Sequence, residues 1–138
     1  LSPPACPLTV RAAIDTLDAE VAGAPVRLEL LGVHRSDRVA YLWMRVVNMD
    51  RTTHSVADML QLDRGALDTP VALDPGAQLT YEVARTSDAC GCSDGLDAVQ
   101  LQPYAQLNVF AAYSLPKTVT GVTITIPTVG TFDDVQIE

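Results

Sequence analysis

The chain has 138 residues, a length that fits one domain with a sizeable core, and its hydrophobic share of 48% is ordinary for a globular protein. A net charge of −8 repels phosphate backbones, which argues against nucleic acid or an anionic membrane surface as partner. No apolar run approaches the ~20 residues needed to span a bilayer, so membrane insertion by this segment is not expected.

The first seven residues, Leu-Ser-Pro-Pro-Ala-Cys-Pro, have the proline and small-residue content of a tether, and a domain is expected from residue 8 to 138. A lipidated Cys6 would call for Leu three residues earlier, where Pro3 stands. Residues 8–14 read as a short first strand and residues 15–22, with mixed helix and turn signals, as loop. Val26, Leu28 and Leu30 then alternate with Arg27 and Glu29, as in a half-exposed strand. The phase slips by one at Leu31, which predicts a bulge at Leu30 or Leu31. His34 to Asp37 should turn the chain into residues 39–47, the most apolar run, which holds the single Trp and ends at Asn48. A strand walled in on both faces, paired with residues 26–33 as an antiparallel hairpin and with Trp43 in or beside the core, is the reading we organise the fold around.

Residues 49–55 are polar and turn-rich, and 56–62 read as a short strand, with or without a helical turn before it. Turns follow at 63–65 and 74–76, either side of a short edge piece at 69–73. Residues 79–85 alternate again, and 87–95 form a loop rich in Asp, Ser, Gly and Cys. The stretch from Tyr104 to Ser114 places Leu107, Val109, Ala111 and Tyr113 on one face and Phe110 on the other, before Pro116 breaks it. In residues 121–126 β-branched apolar residues alternate with Thr up to Pro127, residues 130–134 read as a turn, and Val135 and Ile137 suggest a last strand. About seven short strands and no long helical period predict an all-β, immunoglobulin-like antiparallel β-sandwich.

Few side chains could carry chemistry. Cys90-Gly91-Cys92 is the sharpest local feature. Two thiolates one residue apart could grip Cu(I) or Zn(II) if a His or Met completed the shell, but no His or Met follows Cys92, as a cupredoxin-type site would want. The commoner reading is a structural disulfide in an exported chain. A link from Cys6 to either cysteine closes about 85 residues and is worth ~4.5 kcal/mol by loop entropy, against ~1.6 kcal/mol for Cys90 to Cys92. Local geometry pulls the other way, since Gly91 lets the chain turn tightly while Cys6 lies in the tether. The balance tips to Cys90 with Cys92 and leaves the Cys6 links open.

His34 in a turn and His54 in a polar loop read as exposed histidines rather than ligands or bases. Asp94, Asp97, Asp133 and Asp134 lack the buried setting of acid–base pairs and the spacing of a Ca²⁺ loop. Tyr41 and Trp43 suit a core better than a ligand groove. No phosphate loop, zinc-protease helix or nucleophile elbow is present in the sequence.

Residues 89–96, Ala-Cys-Gly-Cys-Ser-Asp-Gly-Leu, lead into 104–116, Tyr-Ala-Gln-Leu-Asn-Val-Phe-Ala-Ala-Tyr-Ser-Leu-Pro. Residues 119–135 then run from a Thr/Val strand ending at Pro to a closing Phe-Asp-Asp-Val. This half resembles the N-terminal exported module of actinobacterial OmpA-like envelope proteins; residues 26–48 are similar only as secreted Ig-like domains are in general. The resemblance implies an extracytoplasmic, secreted or envelope-attached, non-catalytic module with no cofactor, and a Cys90 to Cys92 pairing. Larger relatives place it ahead of a peptidoglycan-binding domain that these residues do not include. The single Pro at 115–117, where relatives tend to have several, and an unmatched Cys6 depart from the pattern, so the peptidoglycan role is not carried over.

The expected function is therefore an interaction or spacer module whose partner is an envelope component or another protein. A soft-metal-binding protein using Cys90 and Cys92, and a small extracellular enzyme with a loop-built site, are the alternatives.

Overall fold

A computed structural model describes residues 12–63, 65–85 and 90–138. The expected tether and most of the expected strand at 8–14 lie outside these residues. Ten strands and one short helix follow in the order β1 Asp15–Val21, β2 Ala24–Ser36, β3 Val39–Asn48, β4 His54–Ser55, α1 Val56–Leu60, β5 Val71–Asp74, β6 Leu79–Tyr81, β7 Gln100–Leu101, β8 Gln106–Ser114, β9 Gly121–Ile126 and β10 Gly130–Gln136.

Two four-stranded antiparallel sheets, ordered β1-β2-β3-β8 and β10-β9-β5-β6, carry the fold, with β4 and β7 forming a small ladder of their own. The all-β sandwich is thus the observed class. Among the described residues its strands number ten rather than about seven, and β1, β2 and β3 are neighbours in one sheet. An immunoglobulin constant domain instead sends its third strand to the opposite sheet.

Period-two alternation decides which residues fill the interior. Ala40, Leu42, Met44 and Val46 of β3 point inward with Val26, Leu28 and Leu30 of β2 and Val109, Ala111 and Tyr113 of β8. They meet Val122, Ile124 and Ile126 of β9 and Phe132 and Val135 of β10 in one continuous core. Burying each such large side chain is worth about 1.5–3 kcal/mol, so this layer holds the two sheets face to face.

The β2–β3 hairpin has the expected register. It slips between Leu30 and Gly32, leaving Leu31 as the bulged residue, as the phase change predicts. Gly32 then stands opposite Trp43 with φ at 146°, a backbone conformation open to glycine and strained for other residues. Trp43 is 7% exposed but belongs to the outer face of the sheet, where it clusters with Leu31, Tyr41, Ala112 and Phe110. Its ring centroid lies 5.3 Å from that of Phe110.

Five expectations need correction. Residues 56–60 form the helix α1 and not a strand, its start fixed by Ser55, whose side chain accepts from the Asp58 amide at 3.1 Å. Residues 15–21 form β1, whose backbone pairs with β2 along its whole length, so they are not a loop. His34 sits inside β2 opposite Tyr41, because the strand runs on to Ser36 and only Asp37 and Arg38 make the turn. His54 opens β4 and pairs with Leu101. Residues 130–134 belong to β10, with a register shift between Phe132 and Val135 that takes up the two aspartates and a left-handed Asp134 (φ 53°).

Both sides of the sandwich are joined. Beyond β10 the chain pairs with the second half of β2: the Glu138 amide donates to the Val33 carbonyl at 2.8 Å, and the Arg35 amide donates to the Glu138 carbonyl at 2.8 Å. On the other side, the chain leaving β6 reaches the outer edge of β8, where the Ala84 amide donates to the Ala112 carbonyl at 2.7 Å. A paired edge cannot template a further strand, which is the hazard of an open sheet.

Candidate functional site

The cysteine turn is built on that β8 edge. Cys90 and Cys92 are joined in a disulfide with Cα atoms 5.3 Å apart, inside the usual range for a bridge. Gly91, between them, accepts from the Ala112 amide at 2.6 Å and donates to the Ala84 carbonyl at 2.7 Å. Ser93 follows with two more bonds to the same strand: its amide donates to the Phe110 carbonyl and its hydroxyl accepts from the Phe110 amide, both at 2.9 Å. Cys92 is buried in the main core and Cys90 packs against it.

Joined to each other, the two sulfurs offer no thiolate to a metal. Met44 and Met59 are buried in the core, on the inward face of β3 and in α1. Among the described residues no group of three or more His, Cys, Asp or Glu side chains converges as a metal site would require.

His54 is placed by a loop that sequence reading left without structure. Asn48, fully buried at the end of β3, donates from its side-chain amide to the carbonyls of Thr52 and Leu101, both at 2.9 Å. Its side-chain oxygen accepts from the Asp50 amide at 2.9 Å. The loop so formed brings Asp50 Oδ2 to 2.7 Å and Thr52 Oγ1 to 2.9 Å from His54 Nε2. The imidazole hydrogen bond, then the Arg51 amide and the Thr52 hydroxyl, hold the Asp50 carboxyl below its usual range.

Asp, His and Thr together suggest a triad, yet the geometry does not make one. A triad places the carboxylate and the hydroxyl on opposite ring nitrogens, so that the ring accepts from one while donating to the other. Here both partners share Nε2, and the Thr52 hydroxyl itself donates to Asp50 at 3.0 Å. An Nε2–H that donates to Asp50 cannot take a proton from Thr52. The cluster closes a loop rather than activating a nucleophile.

The paired aspartates fall elsewhere. Asp133 and Asp134 line a 200 Å³ hollow with Asp15 and Glu138, while Asp94 and Asp97 are exposed in the chain before β7.

Sequence reading missed Arg35. Its guanidinium donates to three carbonyls of the β8–β9 loop: Leu115 at 3.1 Å, Pro116 at 3.3 Å and Val119 at 2.6 Å. The Leu115 amide in turn donates to the Arg38 carbonyl at 3.2 Å. The β2–β3 turn and the loop after β8 are thereby fixed to one another. Beside them opens a hollow of about 490 Å³. No signal in the sequence points to this contact, because the acceptors are backbone atoms about 80 residues away.

Compared with known proteins, no family model, no curated protein and no solved structure matches this chain.

Proposed function

We propose that this chain is a non-catalytic interaction module of an exported or cell-envelope protein, a sandwich that meets partners through its surface. One observation carries the reading: the Cys90–Cys92 turn lies along the outer edge of β8 and hydrogen-bonds to it on both sides of Ala111. Disulfides persist in oxidising compartments and are rare where thiols are kept reduced, so a bridge used in this way suits an extracytoplasmic location. The resemblance of residues 89–138 to the exported module of actinobacterial OmpA-like envelope proteins supports the same assignment, as does an acidic surface unsuited to nucleic acid.

Intact mass after thiol alkylation, on protein purified without reductant, tests the proposal. Protected Cys90 and Cys92 are expected, with label at Cys6 alone. Label on both Cys90 and Cys92 would remove the compartment argument and restore the soft-metal alternative.

A further inference from the structure

The hollow beside the β2–β3 turn is lined by Arg38, Tyr81, Ser114, Leu115, Pro116 and Lys117. In a protein of net charge −8, both ionisable side chains of its wall other than the tyrosine are cationic. Against an otherwise acidic surface, such a pair stands out as an attractor for a negative group.

The donors are available. Among the described residues, neither the Arg38 guanidinium nor the Tyr81 hydroxyl is engaged by another group. Lys117 pairs only with Asp37, at 3.7 Å, and the two side chains are 69% and 81% exposed. A solvated pair of this kind exchanges readily for a better-placed carboxylate.

The walls are also set in advance. Arg35 holds the carbonyls of Leu115, Pro116 and Val119, and Leu115 is tied to the Arg38 backbone, so a ligand would find the loop already in place. Binding to a prearranged site avoids the cost of ordering it.

We propose that this hollow binds a small carboxylate carried on a six-membered ring. Arg38 takes the carboxylate through its fork of N–H donors, and Lys117 adds a point charge. The ring lies against Tyr81 and Pro116, and the Ser114 and Tyr81 hydroxyls meet polar substituents on it. The open hollow of about 490 Å³ admits one such molecule together with the water around its polar groups. This goes beyond the module reading and stands whether or not the chain is exported, since thiol labelling tests one and ligand binding the other.

Isothermal titration, with amide shifts of residues 114–117 followed by NMR, decides it. The probes are benzoate, glucuronate, inorganic phosphate and the uncharged benzyl alcohol. Saturable binding of benzoate or glucuronate is expected, and which of them binds tells an aromatic acid from a sugar acid. Phosphate should bind about tenfold more weakly, since it cannot use the apolar half of the site, and benzyl alcohol should not bind. Arg38→Ala and Lys117→Ala change exposed side chains and should leave the melting temperature unchanged while together weakening the carboxylate at least about tenfold. The proposal is overturned if neither ring carboxylate saturates by about 10 mM, if phosphate binds as well as they do, or if the two substitutions leave affinity unaltered.

Discussion

The amide of Ala112 and the carbonyl of Gly91 lie 2.6 Å apart, and this bond, with the two between Ser93 and Phe110, sets the cysteine turn on the outer edge of β8. Ala112 pairs with Tyr41 on its other side, so the turn, β8 and β3 form a continuous backbone ladder. The disulfide acts on the edge of the sheet more than on the stability of the whole fold.

Reducing the bridge, or replacing it by Cys90→Ser with Cys92→Ser, should therefore cost little in global stability, about 1.6 kcal/mol for a three-residue closure. Its local effect should be larger. Amide exchange at Phe110 and Ala112 is expected to speed up well beyond the global change, with self-association increasing as the edge opens. Unchanged protection of those two amides would show that the edge is held without the bridge.

Asn48→Ala removes two donors and one acceptor from a fully buried position. The stranded carbonyls of Thr52 and Leu101 should make it cost about 3 kcal/mol in urea unfolding. A cost under about 1 kcal/mol would mean that water replaces the amide there.

Asp50 gives the acid side of the stability profile a predictable sign. Its carboxyl titrates lower in the folded protein than its ordinary 3.8, so the folded state gains from the ionised form. That contribution is complete above about pH 4 and is lost as pH falls through the lower folded value. Melting temperature followed from pH 6 to pH 3 should fall more steeply for the native protein than for Asp50→Asn, with the curves converging at the acid end. Parallel curves would place the acid sensitivity elsewhere.

Arg35→Ala should cost about 2 kcal/mol, since one guanidinium serves three carbonyls of the β8–β9 loop. Arg35→Lys should not restore it, because a single ammonium lacks the planar fork that spans them. Urea melts of both variants, with exchange at the Val119 amide, give the comparison.

The parts of the fold that a sequence displays are those fixed by short-range pattern. The hairpin from β2 to β3, its bulge at Leu31, the inward face of β8 and the strand β9 all follow from period-two alternation and one slip of phase. The pairing of Cys90 with Cys92 is local enough to be weighed from their spacing, whereas the bonds that lay the turn along β8 are not. β1 was hidden because Asp, Ala and Glu favour other structures, and only its ladder with β2 overrides them. In β10 two aspartates imitate a turn, and the bulge that absorbs them depends on pairing with β9. Trp43 was legible as buried but not as outward-facing, since a strand covered on both sides presents apolar residues in either phase. The Arg35 contact and the hollow beside it rest on backbone acceptors brought close by the sheet order, which no residue pattern encodes.

The bonds at the two ends of the described fold meet on one strand. The Ile14 amide donates to the Leu30 carbonyl, and the Glu138 amide to the Val33 carbonyl, three residues further along β2. Flanking chain tied to these two points would be separated by little more than one or two strand spacings, about 5–10 Å. The first and last described segments thus close on the same edge of β2, so that one strand carries both margins of the fold.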